Sequence, residues 1–508
     1  MARYDYIVVG AGSAGCAVAA RLSEDAEVEV LLLEAGGTDS MDEIHQPPVW
    51  PTLWGTEVDW AYRTTPQAGM GGQVHDWPRG KVLGGSSSIN GMVYIRGHRS
   101  DFDAWADAGN AGWDYEGVLP YFKRMEHVEG GDPEYRGSGG PLHPSPVANP
   151  NPLSAAFIEA AKELGHPTTD DFNGAESEGV GWHDLMIVGD KRQSTADAYL
   201  HPVSDRANLT VRTAALARRL TFEGQRCTGV EYLRDGELEQ AAANAEVIVC
   251  AGAIDSPRLL LSGVGPADHL REVGVDVVAD LPGVGRNLHD HLLLGIVYEA
   301  SRQIPPPAAN LAESSMFWRS DDRLPGPDLH FMFIHVPFHP PNLEAPENSY
   351  TVAVGLLRPA SRGWIKLNSA DPDDPPLINP NYLDDDADVR TLLLGIEKAH
   401  ELHAADAFAE WRAREVLPGG EAPSEGDLRD FITRGASTYY HPVGSCRMGI
   451  DEAAVVDPEL KVRGLDGLRV ADASIMPTIV SANTNPSSIM IGEKAADLVR
   501  GAGAVQTA

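Results

Sequence analysis

The sequence is poor in cysteine and in basic residues. Its 508 residues include four cysteines, Cys16, Cys227, Cys250 and Cys446, and none of these stands at the short spacing of a metal site. A disulfide framework is not expected. Lys and Arg number 40 against 74 Asp and Glu, which gives a net charge of −34. This excess of acid argues against nucleic acid and anionic membranes as partners.

Long apolar runs and internal repeats are also missing. No run approaches the roughly 20 apolar residues of a membrane-spanning helix, so no transmembrane segment is expected. The first strand-like run follows MARYD directly, which leaves no room for a signal peptide, and we expect the protein in the cytoplasm. A hydrophobic content of 43% predicts a folded chain, and the length predicts two or more domains. A homo-oligomer is left open.

The clearest motif lies in residues 4–34, YDYIVVGAGSAGCAVAARLSEDAEVEVLLLE. A strand-like run is followed by Gly10, Gly12 and Gly15 in the spacing GxGxxG, then by a helix-like segment and a second apolar run. Glu34 closes the unit 19 residues after Gly15. This order is typical of a dinucleotide-binding βαβ unit.

Each residue of the motif has a physical reason. Gly10 permits the tight turn, Gly12 lets a pyrophosphate approach the backbone, and Gly15 lets the helix pack against the strand. The turn residues Ser13 and Ala14 place helix N–H groups near the phosphates. Glu34 can accept ribose hydroxyl groups and repels a 2′-phosphate, which disfavours NADP. The unit alone does not separate FAD from NAD.

Further along the chain, a long Gly-, Pro- and Trp-rich segment, 35–72, is typical of a functional lid or arm. Residues 78–97, PRGKVLGGSSSINGMVYIRG, predict close backbone approach to a flat or anionic ligand. Helices are predicted at 387–407 and 424–434. The C-terminal section contains a further strand and helix, so the dinucleotide fold is predicted to be interrupted and then resumed.

These motifs together resemble the glucose–methanol–choline (GMC) oxidoreductases, and most closely the choline dehydrogenase and choline oxidase branch. The resemblance is carried by the N-terminal unit and by RGKVLGGSSSINGMVYIRG, GAIDSPRLLLSGVGP, PGVGRNLHDH, SRGWIKLNS, HPVGSCRMG and VADASIMPTIVSANTNPSSIMIGEKAADLV. These segments extend over nearly the full length of the chain.

The resemblance implies an α/β (α+β) fold with two domains. A discontinuous Rossmann-like FAD-binding domain takes residues 1–156, 198–299 and 437–508. A substrate-binding domain, an antiparallel sheet flanked by helices, takes residues 157–197 and 300–436. FAD is favoured over NAD on the ground of the resemblance.

The resemblance also implies an activity, the oxidation of a primary alcohol to the aldehyde, with further oxidation left open. His441 matches the histidine that takes the hydroxyl proton, a task suited to a side chain whose pKa lies near neutrality. Asn485 matches the position that orients the substrate oxygen. Hydride then passes to flavin N5.

The cofactor-binding residues implied by the resemblance extend beyond the first motif. They are Val82, Gly84, Gly85, Ser86, Asn90, Gly91, Ala217, Asp472 and Ala473, which join Gly10, Gly12, Ser13, Ala14, Gly15 and Glu34. Asp472 could equally be a helix cap. Choline oxidases with covalent flavin carry a histidine at the position of Ile89, so we predict non-covalent FAD.

Three residues match positions around the trimethylammonium group in choline oxidase: Trp60, Glu299 and Phe338. An aromatic face with a carboxylate suits a quaternary cation. Glu299 could equally be a surface acid at a strand end. Choline and other primary alcohols both remain candidates.

Several alternatives stay open at this point. The electron acceptor is oxygen or a quinone-type molecule. The same scaffold also carries hydroxynitrile lyases and photodecarboxylases, and a flavin-binding protein without turnover is a third interpretation. No metal site is predicted, and His289 and His291 are interpreted as structural support near the flavin.

Overall fold

The computed structural model describes residues 2–307, 309–420 and 422–501. These residues form two large β-sheets with α-helices packed around them, and each sheet has its own hydrophobic core. No helix within these ranges is long and apolar enough to cross a membrane. The α/β architecture with two sheets, predicted from the sequence, is confirmed.

The strands of the two large sheets are numbered here in chain order. They are β1 (Ala2–Val9), β2 (Val30–Leu33), β3 (Gly179–Trp182), β4 (Leu209–Arg212), β5 (Ala215–Glu223), β6 (Arg226–Arg234), β7 (Glu237–Val249), β8 (Leu292–Ala300), β9 (Ala312–Trp318), β10 (Leu329–Ile334), β11 (Ser349–Leu356), β12 (Arg412–Leu417), β13 (Ala436–Thr438) and β14 (Leu468–Val470).

The α-helices in the described residues are α1 (Ser13–Leu22), α2 (Arg99–Asp107), α3 (Tyr115–Met125), α4 (Pro152–Glu163), α5 (Gly252–Leu260), α6 (Ala267–Glu272), α7 (Asp386–Ala404), α8 (Glu425–Gly435) and α9 (Thr484–Arg500). The predicted helices at 387–407 and 424–434 correspond to α7 and α8. Short ribbons join Tyr62–Arg63 to Asp76–Trp77, Val93–Tyr94 to Asp184–Leu185, Ile187–Val188 to Lys191–Arg192, Val264–Gly265 to Ala279–Asp280, and Gly363–Lys366 to both Arg286–Leu288 and Leu377–Asn379.

The first sheet has the order β4-β2-β1-β7-β6-β5, and β14 pairs with β7. Strands β4, β2, β1, β7 and β14 are parallel, whereas β5 and β6 extend β7 as an antiparallel meander. The residues of β2 and the end of β1 are buried, which is typical of a parallel sheet covered on both faces. The carboxyl ends of β1, β2 and β7 therefore meet at one edge.

The two ends of the chain meet in this domain. Strand β14 lies beside β7, and α9 packs along α1 so closely that a Cβ on Gly492 would lie 2.4 Å from the Ala14 carbonyl oxygen. Glu493 of α9 is buried and pairs with Arg21 of α1 and Arg124 of α3. The prediction of an interrupted and resumed dinucleotide fold is confirmed.

The second sheet is antiparallel throughout, in the order β12-β8-β11-β10-β9-β3, and β13 pairs with β8. Helices α4, α7 and α8 cover one face. Strand β10 has Phe331 and Phe333 in the core under these helices, whereas Met332 and Ile334 belong to a different apolar cluster. Because side chains alternate along a strand, this second set faces the first domain.

The predicted domain ranges differ from the sheets at three places. Residues 437–438, predicted to lie in the FAD-binding domain, end β13, which pairs with β8 in the second sheet. Residues 292–299, predicted to lie in the FAD-binding domain, form most of β8 in the second sheet. Residues 152–156 begin α4, which also packs against the second sheet. The local pattern identifies a strand or a helix but not the sheet that it joins. The other boundaries stay predictions.

Candidate active site

The turn from β1 to α1 has the geometry that its glycines predict. Gly10 has a positive φ of 101°, and a Cβ there would lie 2.5 Å from the Cys250 carbonyl oxygen. A Cβ on Gly15 would lie 1.8 Å from the Gly10 carbonyl oxygen. Gly12 lines the cavity, and the nearest atom to a Cβ there would be 3.9 Å away. The first and third glycines therefore permit packing, and the second keeps the cavity open.

Glu34 directly follows β2 and lines the same cavity. Its carboxylate accepts hydrogen bonds from the backbone N–H groups of Ala11 and Gly36, each at 2.9 Å. Burial raises the pKa of Glu34 to about 7. The backbone thus holds the acid at the edge of the sheet, where the sequence predicts a ribose partner.

The second glycine-rich loop closes over the first. Gly85, Ser86, Asn90 and Gly91 all line the cavity. A Cβ on Gly85 would lie 2.6 Å from the Gly12 Cα, so the two loops require glycine where they touch. These contacts leave the backbone of both loops exposed to a ligand.

Two predicted cofactor residues of this loop do not line the cavity. Val82 is fully buried in a small apolar cluster and forms a backbone bridge with Gly37. Gly84 donates its N–H to the Ala11 carbonyl oxygen at 2.8 Å and has a φ of 85°. Both residues shape the loop from behind. Spacing alone does not distinguish a lining residue from a supporting one.

Ala217, Asp472 and Ala473 also line the cavity. The carboxylate of Asp472 accepts hydrogen bonds from Gly252 N–H at 2.8 Å, Ser256 Oγ at 2.5 Å and Ser474 N–H at 2.8 Å. Asp472 therefore caps the short helix Ala473–Ile475 and also ties β14 to the start of α5. The alternative of a helix cap is thus confirmed, and the part of Asp472 in cofactor binding stays a prediction.

One cavity of about 840 Å³ connects these loops to the second sheet. Its first end is lined by backbone and small side chains at the carboxyl ends of β1, β2 and β7. Its other end is lined by side chains of β8 and β10, the segments that follow β10 and β13, and the beginning of α9. An elongated ligand can thus reach from the glycine loops to His441.

The backbone of His441 is fixed by a buried acid. Asp290 accepts hydrogen bonds from the His441 N–H at 2.7 Å, Thr438 Oγ1 at 2.6 Å and Tyr382 hydroxyl at 2.5 Å. The preceding residue, Tyr440, has a positive φ of 64°. This turn places the imidazole of His441 among the cavity-lining groups.

Both ring nitrogens of His441 have polar neighbours. Nε2 lies 3.3 Å from Nδ2 of Asn483, and Nδ1 lies 3.0 Å from Nδ1 of His291. Burial and the positive charge of Arg79 hold the pKa of His441 well below its usual range. Burial also lowers the pKa of His291 to about 3. Both imidazoles are therefore neutral at neutral pH, as a proton acceptor must be.

The asparagine beside His441 is not the one that the sequence predicts. Asn483, not Asn485, lies beside His441. Asn485 accepts a hydrogen bond from Ser13 Oγ at 2.6 Å, on the side of the glycine loop. Asn483 is the N-cap of α9 and makes no capping hydrogen bond, whereas Asn485 is already in the first turn. Two asparagines two residues apart thus face different parts of the cavity.

The three residues predicted to surround a quaternary cation do not lie together. Trp60 and Phe338 line the cavity, although the Trp60 ring already stacks on Tyr62 and carries the Lys81 ammonium 4.8 Å from its centre. Glu299 is not among the cavity-lining residues, and its carboxylate pairs with Arg414 at 2.7 Å.

The position of Glu299 has a simple cause. Leu293 of the same strand lines the cavity, and six further residues at about 3.3 Å each carry β8 about 20 Å away. The prediction that Glu299 contacts the substrate is therefore wrong, and the alternative of an acid at a strand end is correct.

Sequence reasoning missed an aromatic wall next to His441. Trp50 and Trp54 lie 5.1 Å apart between ring centres, and Trp54 lies 4.8 Å from Tyr440. Trp50 also donates its indole N–H to the Asn310 carbonyl oxygen at 2.9 Å. Both tryptophans come from the segment 35–72, whose length and composition predict a functional arm without showing which residues reach the site.

Another group of polar side chains lies among Asp39, Asp197 and His201. His201 Nε2 lies 3.2 Å from Asp39, and Nδ1 lies 3.5 Å from Asp197. His201 is about half exposed. These contacts join Asp39 to the segment that carries Asp197 and His201. The absence of a metal centre stays a prediction.

Comparison with known proteins gives the family. Two family models, both described as GMC oxidoreductase, match residues 4–293 and 359–492. The chain belongs to the GMC oxidoreductase family. It is 43% identical to mitochondrial choline dehydrogenase of Homo sapiens, over 98% of this chain and 90% of that one. It is 42% identical to an alcohol dehydrogenase [acceptor] of Pseudomonas putida, over 98% of this chain and 95% of that one.

The fold agrees with solved structures of GMC relatives. Pyridoxine 4-oxidase from Mesorbium loti superposes with a TM-score of 0.94 at 39% identity, covering 97% of this chain and 98% of that one. This GMC enzyme is an FAD-dependent oxidoreductase that acts on the CH–OH group of alcohols. The glycine cradle, the N-terminus of α1 and Glu34 fit the diphosphate and ribose of FAD.

Proposed function

We propose that the protein oxidises a primary alcohol to its aldehyde at His441, with Asn483 as the group that holds the alcohol oxygen. The observation that carries this proposal is the pair itself. A buried, neutral imidazole nitrogen lies 3.3 Å from an amide nitrogen, and both line the cavity that also contains the dinucleotide loops. A base and a hydrogen-bond donor side by side match the needs of a hydroxyl group that becomes a carbonyl.

His441 takes the hydroxyl proton. Its low pKa keeps Nε2 unprotonated at neutral pH. The hydrogen bond from its backbone N–H to the Asp290 carboxylate keeps the ring facing the cavity. Asn483 Nδ2 donates to the oxygen as the proton leaves, since an alkoxide-like oxygen accepts a hydrogen bond more strongly than a hydroxyl. This replaces the predicted role of Asn485.

His291 sets the tautomer of His441. A neutral His441 whose Nε2 acts as the base carries its proton on Nδ1, and this Nδ1–H donates to Nδ1 of His291 at 3.0 Å. This arrangement leaves Nε2 of His441 unprotonated, in contact with Nδ2 of Asn483 until a substrate hydroxyl group takes that place.

The cofactor residues divide into two groups. Gly10, Gly12, Ser13, Ala14 and Glu34 would hold the adenosine and diphosphate, supported by the packing of Gly15. Gly85, Ser86, Asn90, Gly91, Ala217, Asp472 and Ala473 would line the rest of FAD, and Gly84 and Val82 would support them. Asn485, joined to Ser13, belongs with this cofactor set. When bound, FAD supplies the acceptor for the hydride that leaves the alcohol carbon. The residue at position 89 is isoleucine, which cannot form a covalent flavin link, so FAD is held non-covalently.

Three further features belong to the proposal. Reoxidation uses oxygen or a quinone-type acceptor, the protein acts in the cytoplasm, and it can assemble as a homo-oligomer. The acid-rich composition is compatible with each of these. Acceptor and assembly depend on surfaces that no sequence motif marks.

The test is anaerobic mixing of the FAD-loaded protein with a panel of primary alcohols, followed by admission of air. Bleaching of the yellow flavin by at least one alcohol, with formation of the aldehyde, is expected. Rapid return of the colour in air identifies an oxidase, and slow return identifies a dehydrogenase. A flavin that no alcohol bleaches would contradict the proposed function.

A further inference from the structure

The cavity wall that the second sheet contributes is apolar. Its side chains are Leu293, Leu311, Met332, Ile334, Val336 and Phe338. They belong to, or pack against, one apolar cluster that also contains Tyr439. The ring of Tyr439 lies 4.7 Å from that of His441. The apolar surface therefore extends up to the candidate base.

The acidic side chain nearest to this wall in sequence faces away from it. Ala312 lines the cavity, and the next residue of β9, Glu313, lies on the other face of the sheet because side chains alternate. Its carboxylate accepts the Asn151 N–H at 2.6 Å and lies 3.8 Å from His335. Glu313 is thus engaged at the start of α4.

The carboxylates that do line the cavity come from other elements of the chain. They come from the first sheet, from α5, or from loops that pack beside these elements, and none of them comes from the second sheet or from residues 47–54. Among the described residues that line the cavity, these carboxylates are Glu34, Glu231, Asp255, Asp276, Asp371 and Asp472.

Two charged side chains lie beside His441, one acidic and one basic. Asp290 does not line the cavity, and hydrogen bonds from one backbone N–H and two hydroxyl groups occupy its carboxylate. Arg79 lines the cavity and donates from Nη2 to the Tyr440 carbonyl oxygen at 2.7 Å. Tyr440 directly precedes His441 in the chain. A substrate with a permanent positive charge would therefore approach the like charge of Arg79 in a buried site, whereas the Asp290 carboxylate lies outside the cavity wall.

The aromatic wall can contact a cationic substrate or an uncharged one. Rings such as Trp50 and Trp54 attract a cation through their faces and pack equally well against an alkyl chain or an aryl ring. The charged groups decide between these two because a buried cation without a counter-charge is costly.

We propose that the physiological alcohol is uncharged, with an apolar chain or ring attached to its CH₂OH group, and that quaternary ammonium alcohols are poor substrates. This inference rests on the proposed function and names its substrate class. The apolar wall binds the chain, and His441 and Asn483 bind the hydroxyl end.

A pair of isosteres tests the inference. Choline and its tert-butyl analogue, in which carbon replaces the quaternary nitrogen, have the same shape and differ in charge. We expect the neutral analogue, like n-hexanol and benzyl alcohol, to reduce the flavin with a kcat/KM about ten-fold or more above that of choline. An equal or higher value for choline would overturn the inference and leave the proposed function in place.

A matched pair of variants sharpens this test. Val336 is half-buried and lines the apolar wall, so a longer polar side chain can be accommodated there. In Val336→Glu, the kcat/KM for choline divided by that for the tert-butyl analogue is expected to rise about ten-fold. In Val336→Gln, whose side chain has the shape of Glu without the charge, this ratio is expected to stay unchanged. A similar rise in both variants, or in neither, would show that charge at this wall does not govern selection and would overturn the inference.

A binding readout separates the inference from the chemistry. tert-Butylacetamide and betaine amide are neutral and cationic isosteres that have no hydroxyl group to oxidise. The neutral amide is expected to raise the Tm of the FAD-loaded protein more than the cationic one. If no alcohol reduces the flavin, the proposed function fails, and the amide pair still decides which charge the cavity accepts. Equal or greater stabilisation by betaine amide, or none by either amide, overturns the inference.

Discussion

The two ends of the cavity are built by different means. At the nucleotide end, the backbone of two glycine-rich loops and one carboxylate form the surface, and most of these residues lie close together in the sequence. At the alcohol end, side chains from β8, β10, α9, residues 47–54 and residues 439–441 converge. The first end is specified by local spacing, and the second depends on the packing of two domains.

The largest effect is expected at the alcohol end from His441→Ala. Without the base, kcat for alcohol oxidation is expected to fall about 10²- to 10⁴-fold, while FAD stays bound through the other end of the cavity. Steady-state rates and the flavin content of the purified variant measure the two effects. His143→Ala, which removes an exposed histidine, is the control. A His441 variant with wild-type kcat would exclude this residue as the base.

Variants of the two asparagines distinguish the functions of the two ends of the cavity. Asn483→Ala is expected to lower kcat about 10²-fold, since a donor to the developing oxyanion is lost. Asn485→Ala is expected to keep kcat and weaken FAD binding by about 1 kcal/mol through loss of the Ser13 hydrogen bond. Rates in FAD-saturated samples measure kcat, and FAD titrations of the apoprotein measure the affinity for FAD. The reverse pattern would restore Asn485 as the catalytic group.

At the nucleotide end, Gly15→Ala is expected to weaken FAD binding. A Cβ there collides with the Gly10 carbonyl oxygen, and such overpacking costs about 1–3 kcal/mol, or about five- to 140-fold in affinity. Gly37→Ala is the matched control because no atom lies within 4 Å of its added Cβ. FAD affinity unchanged in the Gly15 variant would mean that the turn adapts, contrary to the geometry described above.

The smallest expected effect is the change of kcat/KM with pH. Because burial holds the pKa of His441 well below its usual range, its base form persists as the pH falls from about 8 to about 6. The kcat/KM profile is therefore expected to be flat across the ordinary range of histidine titration. An acidic limb centred near an ordinary histidine pKa would show that the site is more solvated than its burial indicates.

Sequence reasoning succeeded where the chemistry is local. Gly10, Gly12, Gly15 and Glu34 occupy the predicted places because strand, turn and helix fix their positions relative to one another. His441 also lines the cavity as its motif predicts. These positions depend on few residues outside their own segments.

It failed where a position depends on distant packing. Asn483 and Asn485 are separated by one residue, and only the start of α9 decides which side chain reaches His441. Glu299 was placed at the substrate although β8 carries it to a surface ion pair. Trp50 and Trp54 reach the site from an irregular segment whose path no periodic pattern describes.

The most direct test of the account is anaerobic stopped-flow reduction of the FAD-loaded protein by an alcohol deuterated at the carbon that bears the hydroxyl group. Breakage of that C–H bond beside His441 predicts that the yellow absorbance disappears and that deuterium slows its loss severalfold. Equal rates for the two isotopologues under conditions where the chemical step is observed, or an absorbance that does not change, would contradict the account.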